Sequence, residues 1–132
     1  MNRKELREHI FRVLFRIEFN SVEEMKEQEE LYFELLGKVE EKDKEYILNK
    51  YQDIMDKVQE IDALLNESAK GWKTTRMNRV DLTILRLATY EMKWDEDVPV
   101  SVAINEAVEL AKKYSSNEGP AFINGILAKL AE

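Results

Sequence analysis

The sequence predicts an all-α protein of about six or seven helices. Three observations carry that prediction. Apolar residues recur at helical spacing through nearly all of the 132 residues. Glycine and proline are scarce, at four and two, which disfavours a loop-rich β sandwich. No segment needs the two-residue alternation of a half-buried strand. At this length one compact domain over residues 1–132 is expected, burying about two thirds of the surface its unfolded chain exposes.

The first helix is expected over residues 3–19, with Leu6, Ile10, Val13, Leu14 and Ile17 on one face. The second begins near Ser21, where Ser21 and Glu24 have capping-box spacing, and runs to Leu36, with Gly37 as its stop. The third is long, 42–69, striped by Tyr46, Ile47, Tyr51, Ile54, Val58, Ile61, Leu64 and Leu65. Gly71 breaks the pattern, and 73–78 reads as a loop or short turn. A fourth helix over 79–93 turns Val80, Ile84, Leu87, Ala88 and Met92 inward. Asp95–Asp97 is expected to cap a fifth helix, whose first turn suits Pro99. Its stripe is Ala103, Ile104, Ala107, Val108, Ala111 and Tyr114. After a Ser115–Gly119 loop, Pro120 opens a last helix, with Phe122, Ile123, Ile126, Leu127 and Leu130 inward. Gly125 lies inside that helix at a cost of about 1 kcal/mol against alanine, which close helix–helix approach would explain.

Composition excludes several chemistries. With no cysteine there are no disulfides, iron–sulfur clusters, thiolate zinc sites or thiol nucleophiles, in keeping with a reducing cytoplasm. The single histidine, His9, cannot build a multi-histidine metal site and reads as a surface or boundary residue. Neither a GxxxxGK[ST] nor a GxGxxG phosphate cradle occurs. No enzymatic activity, cofactor or metal is therefore expected. No apolar run approaches the roughly 20 residues of a membrane span. The N-terminus, charged on both sides of Leu6, does not have the form of a signal peptide.

The net charge of −7 is unevenly spread. Residues 1–19 carry a net +2 and 71–86 a net +3, against −8 for 20–70 and −4 for 87–132. An acidic total opposes indiscriminate nucleic-acid binding but leaves room for local anion sites. At about 100° per residue, Lys4, Arg7, Phe11 and Phe15 share one flank of the first helix, beside its apolar face, with Arg3 adjoining. Cations beside rings suit single-stranded nucleic acid. An ordinary amphipathic helix with snorkelling cations also accounts for them. Arg12 and Arg16 lie on the far side, as i,i+4 partners of acids. In the second basic stretch Arg86 faces inward as a structural ion pair, while Lys73, Arg76 and Arg79 are open to an anion. The start of the last helix, near Ala121 and Phe122, is a third anion candidate.

Several of these segments carry a resemblance that covers essentially the whole chain. ILRLATYE at 84–91, VAINEAVELAK at 102–112 and FINGIL at 122–127, with an N-terminal R…RxxxFRVLFRIEF, resemble the NusB family of transcription antitermination factors. The resemblance implies two three-helix bundles packed roughly crosswise. It implies a non-catalytic adaptor that binds the boxA element of nascent ribosomal-RNA transcripts with the ribosomal protein NusE, joining other Nus factors on RNA polymerase. Some members self-associate and cover the Arg-rich surface, so a protein–protein scaffold with a homodimeric basic flank is the alternative. A related helical domain occurs fused to an RNA cytosine methyltransferase, a module not expected here. Residue by residue, the resemblance assigns RNA contact to Arg3, Lys4, Arg7, Phe15, Glu118 and Phe122, and a NusE-facing position to Asp81. Arg76 and Arg79 complete the expected RNA-binding set. Phe15 stands where tyrosine is usual, so stacking survives there but a phenolic hydrogen bond does not. Gly119-Pro120-Ala121 lacks the polar side chain some members place before Phe122.

Overall fold

The computed structural model describes residues 1–132. It contains seven α-helices and no strand: α1 (Arg3–Phe15), α2 (Val22–Leu36), α3 (Glu41–Asp56), α4 (Val58–Ser68), α5 (Arg79–Trp94), α6 (Val100–Tyr114) and α7 (Gly119–Leu130). Short 3-10 turns occupy Arg16–Glu18 and Thr74–Arg76. The chain forms two compact units, Met1–Asp53 and Ile54–Glu132, divided near the end of α3.

In the first unit, Asn2 caps α1 by accepting the Glu5 backbone N–H at 2.8 Å, satisfying one of the orphan donors of a helix start. α1 stops at Phe15, not at residue 19 as its stripe implies. Two side chains take carbonyls that the tightening leaves over. Arg16 Nη1 donates to the Arg12 carbonyl at 2.7 Å, and Asn20 Nδ2 donates to the Arg16 carbonyl at 2.9 Å. The Ser21–Glu24 capping box forms as expected. Hydrogen bonds from Ser21 hold the Glu24 carboxyl below its usual range. Gly37, at φ 90°, ends α2 in a conformation other residues rarely adopt. Ile10, Phe11, Val13, Leu14, Met25, Tyr32, Phe33, Ile47 and Tyr51 form the interior. Tyr46, expected inward, is 43% exposed.

The expected long third helix is two helices. Lys57 leaves the helical region at φ −106°, ψ 3°, and its N–H reaches back to the Ile54 carbonyl at 3.0 Å. No glycine or proline marks the break, and buried Ile54, Ile61 and Leu65 keep the stripe running across it. The direction of α4 follows from its packing on α5 and α7, a tertiary term that local propensity does not contain.

In the second unit α5 is the central helix, packed on α4, α6 and α7. From Asp81 to Glu91 every residue except Arg86 and Tyr90 is buried. The expected inward positions Val80 and Met92 are only half-buried. Facing them, α6 presents the small residues Ala103, Ala107 and Ala111, and α7 buries Ile123, Ile126, Leu127 and Leu130. Arg86 makes the expected ion pair with Asp62, a two-pronged contact at 2.9 and 2.8 Å. Lys93 Nζ donates to the Leu130 carbonyl at 3.3 Å, closing the end of α7. The Asp95–Asp97 cap does not form. Asp95 instead accepts the Asp97 N–H at 3.1 Å in a local turn, and Pro99 itself occupies the cap position of α6. Gly125 is not a point of close approach: a Cβ added there meets nothing within 4 Å.

Candidate nucleic-acid interface

The first unit carries one cationic–aromatic patch. Arg3 and Lys4, in the first turn of α1, are exposed. Phe15 is half-buried. It stacks on Phe11 with centroids 6.1 Å apart and meets Phe19 edge to face at 5.2 Å. Phe19, which the periodicity does not single out, is 65% exposed and extends this ladder of rings into solvent. The flank is less open than the helical wheel implies. Arg7 is only 6% exposed and Phe11 only 3%, and Arg7 is engaged within the protein. A buried guanidinium held by its own chain is a poor phosphate ligand, so Arg7 is better placed to support α1. The far-side arginines also differ from each other. Arg12 pairs with Glu8 at 3.4 Å, but Arg16 lies over the Tyr32 ring at 4.6 Å instead of meeting an acid. His9 Nδ1 lies 2.6 Å from the Tyr32 hydroxyl. Burial, and then the nearby Arg12, hold the imidazole below its ordinary pKa.

The second unit carries the other patch, around a cleft of about 330 Å³ lined by Trp72, Arg76, Asn78, Glu118 and Phe122 among others. Arg76, Arg79 and Glu118 are exposed and Phe122 is half-buried. Trp72 meets Phe122 edge to face, with centroids 5.7 Å apart and planes at 74°. Asp81 contributes to the cleft floor but is only 4% exposed. Its carboxylate accepts from Asn78 Nδ2 at 2.8 Å and from Ser115 Oγ at 2.5 Å. A carboxylate so committed is a poor partner contact, and the expected NusE-facing role for Asp81 gives way to a structural one.

Sequence reading missed Trp72. The signal was present: a tryptophan directly after a loop glycine, inside the basic stretch and outside every apolar stripe. No group of three or more histidine, aspartate or glutamate side chains is placed to hold a metal ion. No helix is long and apolar enough to cross a membrane.

Helices carrying separate cationic–aromatic patches on an acidic chain define a class of all-α protein suited to nucleic-acid contact. The model described as the NusB family matches residues 4–132, and the chain belongs to that family. It is 48% identical over 132 residues to the transcription antitermination protein NusB of Lachnoclostridium phytofermentans, covering 100% of both chains. Among solved structures it is similar to Thermotoga maritima NusB, with a TM-score of 0.86 and 32% identity over 99% of this chain and 91% of that one. A complex of the antitermination factors NusB and NusE with double-stranded RNA contains a chain of the same fold, with a TM-score of 0.81 and 24% identity over 98% of this chain and 95% of that one.

Proposed function

We propose that the protein is a transcription antitermination factor. It binds the boxA RNA of nascent ribosomal-RNA transcripts together with NusE, and through that complex joins other Nus factors and RNA polymerase. The observation that carries this reading is the full-length relation to antitermination proteins. The solved assembly of NusB, NusE and RNA supports the same choice of partners. The protein acts as a non-catalytic adaptor in the cytoplasm, without a cofactor, and residues 1–132 serve as one RNA-binding domain.

Within that domain Arg3 and Lys4 contact phosphates from the first unit, and Arg76 and Arg79 do so from the second. Phe15 and Phe122 offer faces to unstacked bases, and the Glu118 carboxylate accepts hydrogen bonds from base amines. Titration of labelled boxA RNA, with and without NusE, tests the reading. Saturable binding that NusE strengthens is expected. A protein that runs as a dimer in solution and leaves the RNA free even with NusE present would instead be a scaffold whose basic flank is a dimer interface.

A further inference from the structure

We propose that Trp72 is an RNA-binding residue, the stacking wall of a cleft in the second unit that takes one unpaired base of a single-stranded RNA. The inference rests on the RNA-binding reading above and adds to it a residue and a subsite.

Four observations carry it. Trp72 is 55% exposed, the most exposed aromatic after Phe19. Its backbone is held in place: the Trp72 main-chain N–H donates to the Ala69 carbonyl at 2.8 Å, directly after Gly71 at φ 86°. That positive φ is the backbone state glycine permits, and it turns the chain so that the indole stands beside Phe122 and not in an apolar stripe. The edge-to-face contact with Phe122 leaves an indole face unpaired with another ring. The adjoining cleft, about 330 Å³, falls at the small end of the roughly 300–1,000 Å³ range of ligand pockets.

The polar lining fits a nucleotide. Arg76 at the rim is exposed and supplies a cation for a phosphate. Glu118 and Ser116, also exposed, supply an acceptor and a hydroxyl for a base edge. Asn78 and Asp81, which also line the cleft, do not compete for the ligand, because they bond to each other and Asp81 accepts from Ser115 behind them. The stretch 71–86 is net +3 in a chain of net −7; with Arg86 paired to Asp62 a surplus of +2 remains, a local field that draws a polyanion to this cleft. Stacking is sequence-tolerant because every base has a π-face. The cleft therefore sets where the strand is held, and its rim groups set which base is preferred.

The test uses the chain's two tryptophans. In a Trp94→Phe background Trp72 is the only indole, and titration with boxA oligoribonucleotide in the presence of NusE should quench its fluorescence. Trp72→Ala should weaken RNA about tenfold, within the range of losing one base–aromatic stack, with unchanged thermal unfolding. Trp72→Tyr should restore most of the affinity. Scanning an abasic site along the oligonucleotide should find one position that is costly for the wild-type chain and neutral for Trp72→Ala. Wild-type affinity in Trp72→Ala with no quench overturns the inference while leaving RNA binding intact. Quenching by NusE alone, with no further change on adding RNA, also overturns it and gives the cleft to a protein. Failure of the wild-type chain to bind boxA RNA at all, with NusE present, overturns both this inference and the function it rests on.

Discussion

Ser115 donates its hydroxyl to the Asp81 carboxylate at 2.5 Å, joining the end of α6 to the first turn of α5. Asn78 completes the arrangement, accepting the Asp81 N–H and donating to its carboxylate, both at 2.8 Å. A Cβ added at Gly119 would collide with the Ser115 side chain. The glycine that opens α7 is therefore required by space and not by backbone angle. Loss of a hydrogen bond to a buried charged group costs about 1.5–3 kcal/mol, and Ser115→Ala should lower unfolding stability by that order. Gly119→Ala should cost at least as much, because it displaces the same hydroxyl and crowds its carbon. Denaturant melts of the two variants check this, and a Gly119→Ala protein as stable as wild type would show that the loop yields freely.

Gly125 behaves oppositely in the same helix. With nothing within 4 Å of an added Cβ, Gly125→Ala should raise stability by about 1 kcal/mol through helix propensity alone. Thermal unfolding reads the change. If stability rises while RNA or NusE affinity falls, the open space at Gly125 is where a partner's backbone approaches.

The second unit was more legible than the first. On α5, α6 and α7 the buried residues Ile84, Leu87, Ala88, Ala103, Ala107, Ile123 and Leu127 are among those the period marks, because these three helices pack their apolar faces on one another. Arg86 was legible for the same reason: a cation placed inward by period must find an acid, and it finds Asp62. The break at Lys57 was not legible, since an uninterrupted stripe spans it and the cause lies in packing. Asp81 was not legible because an acid in the first turn of a helix looks the same whether its carboxylate is taken up by neighbouring side chains, here Asn78 and Ser115, or faces a partner. Arg7 and Phe11 were misjudged by the helical wheel, which assigns a narrow apolar face where α1 in fact buries a wide one.

That burial changes which cations should matter for RNA. Each phosphate contact to a single strand contributes about −0.7 to the slope of log affinity against log salt. Arg3→Ala with Lys4→Ala should flatten the slope by about 1.4 and leave stability unchanged, as expected for exposed positions. Arg7→Ala should instead lower stability and leave the slope nearly unaltered in the folded fraction. Salt titrations of RNA binding beside thermal melts separate the two. A flattened slope in Arg7→Ala at full stability would return Arg7 to the phosphate contacts.

His9 should give the first unit a pH dependence of defined sign. Burial and the adjacent Arg12 lower its pKa from 6.5, outweighing Glu8 and Glu5, which raise it. In the neutral imidazole Nδ1 can accept a hydrogen bond from the Tyr32 hydroxyl across the 2.6 Å contact. Because the folded pKa is depressed, the unfolded chain binds more protons near pH 6.5, and stability rises with pH through that region. The contribution is fully present above about pH 6.5 and is lost as pH falls from there through the lower folded value. Glu29, raised by burial and by Glu30, acts with the opposite sign from about pH 4.5 upward, so the difference between wild type and His9→Gln isolates the imidazole. That difference should be flat above neutrality and should move in favour of His9→Gln as the medium is acidified. Since the chain has a single histidine, its ring-proton resonance in an NMR titration reports the folded pKa directly. A midpoint at or above 6.5 would remove the basis for the effect, and a pH-independent stability difference would remove the effect itself.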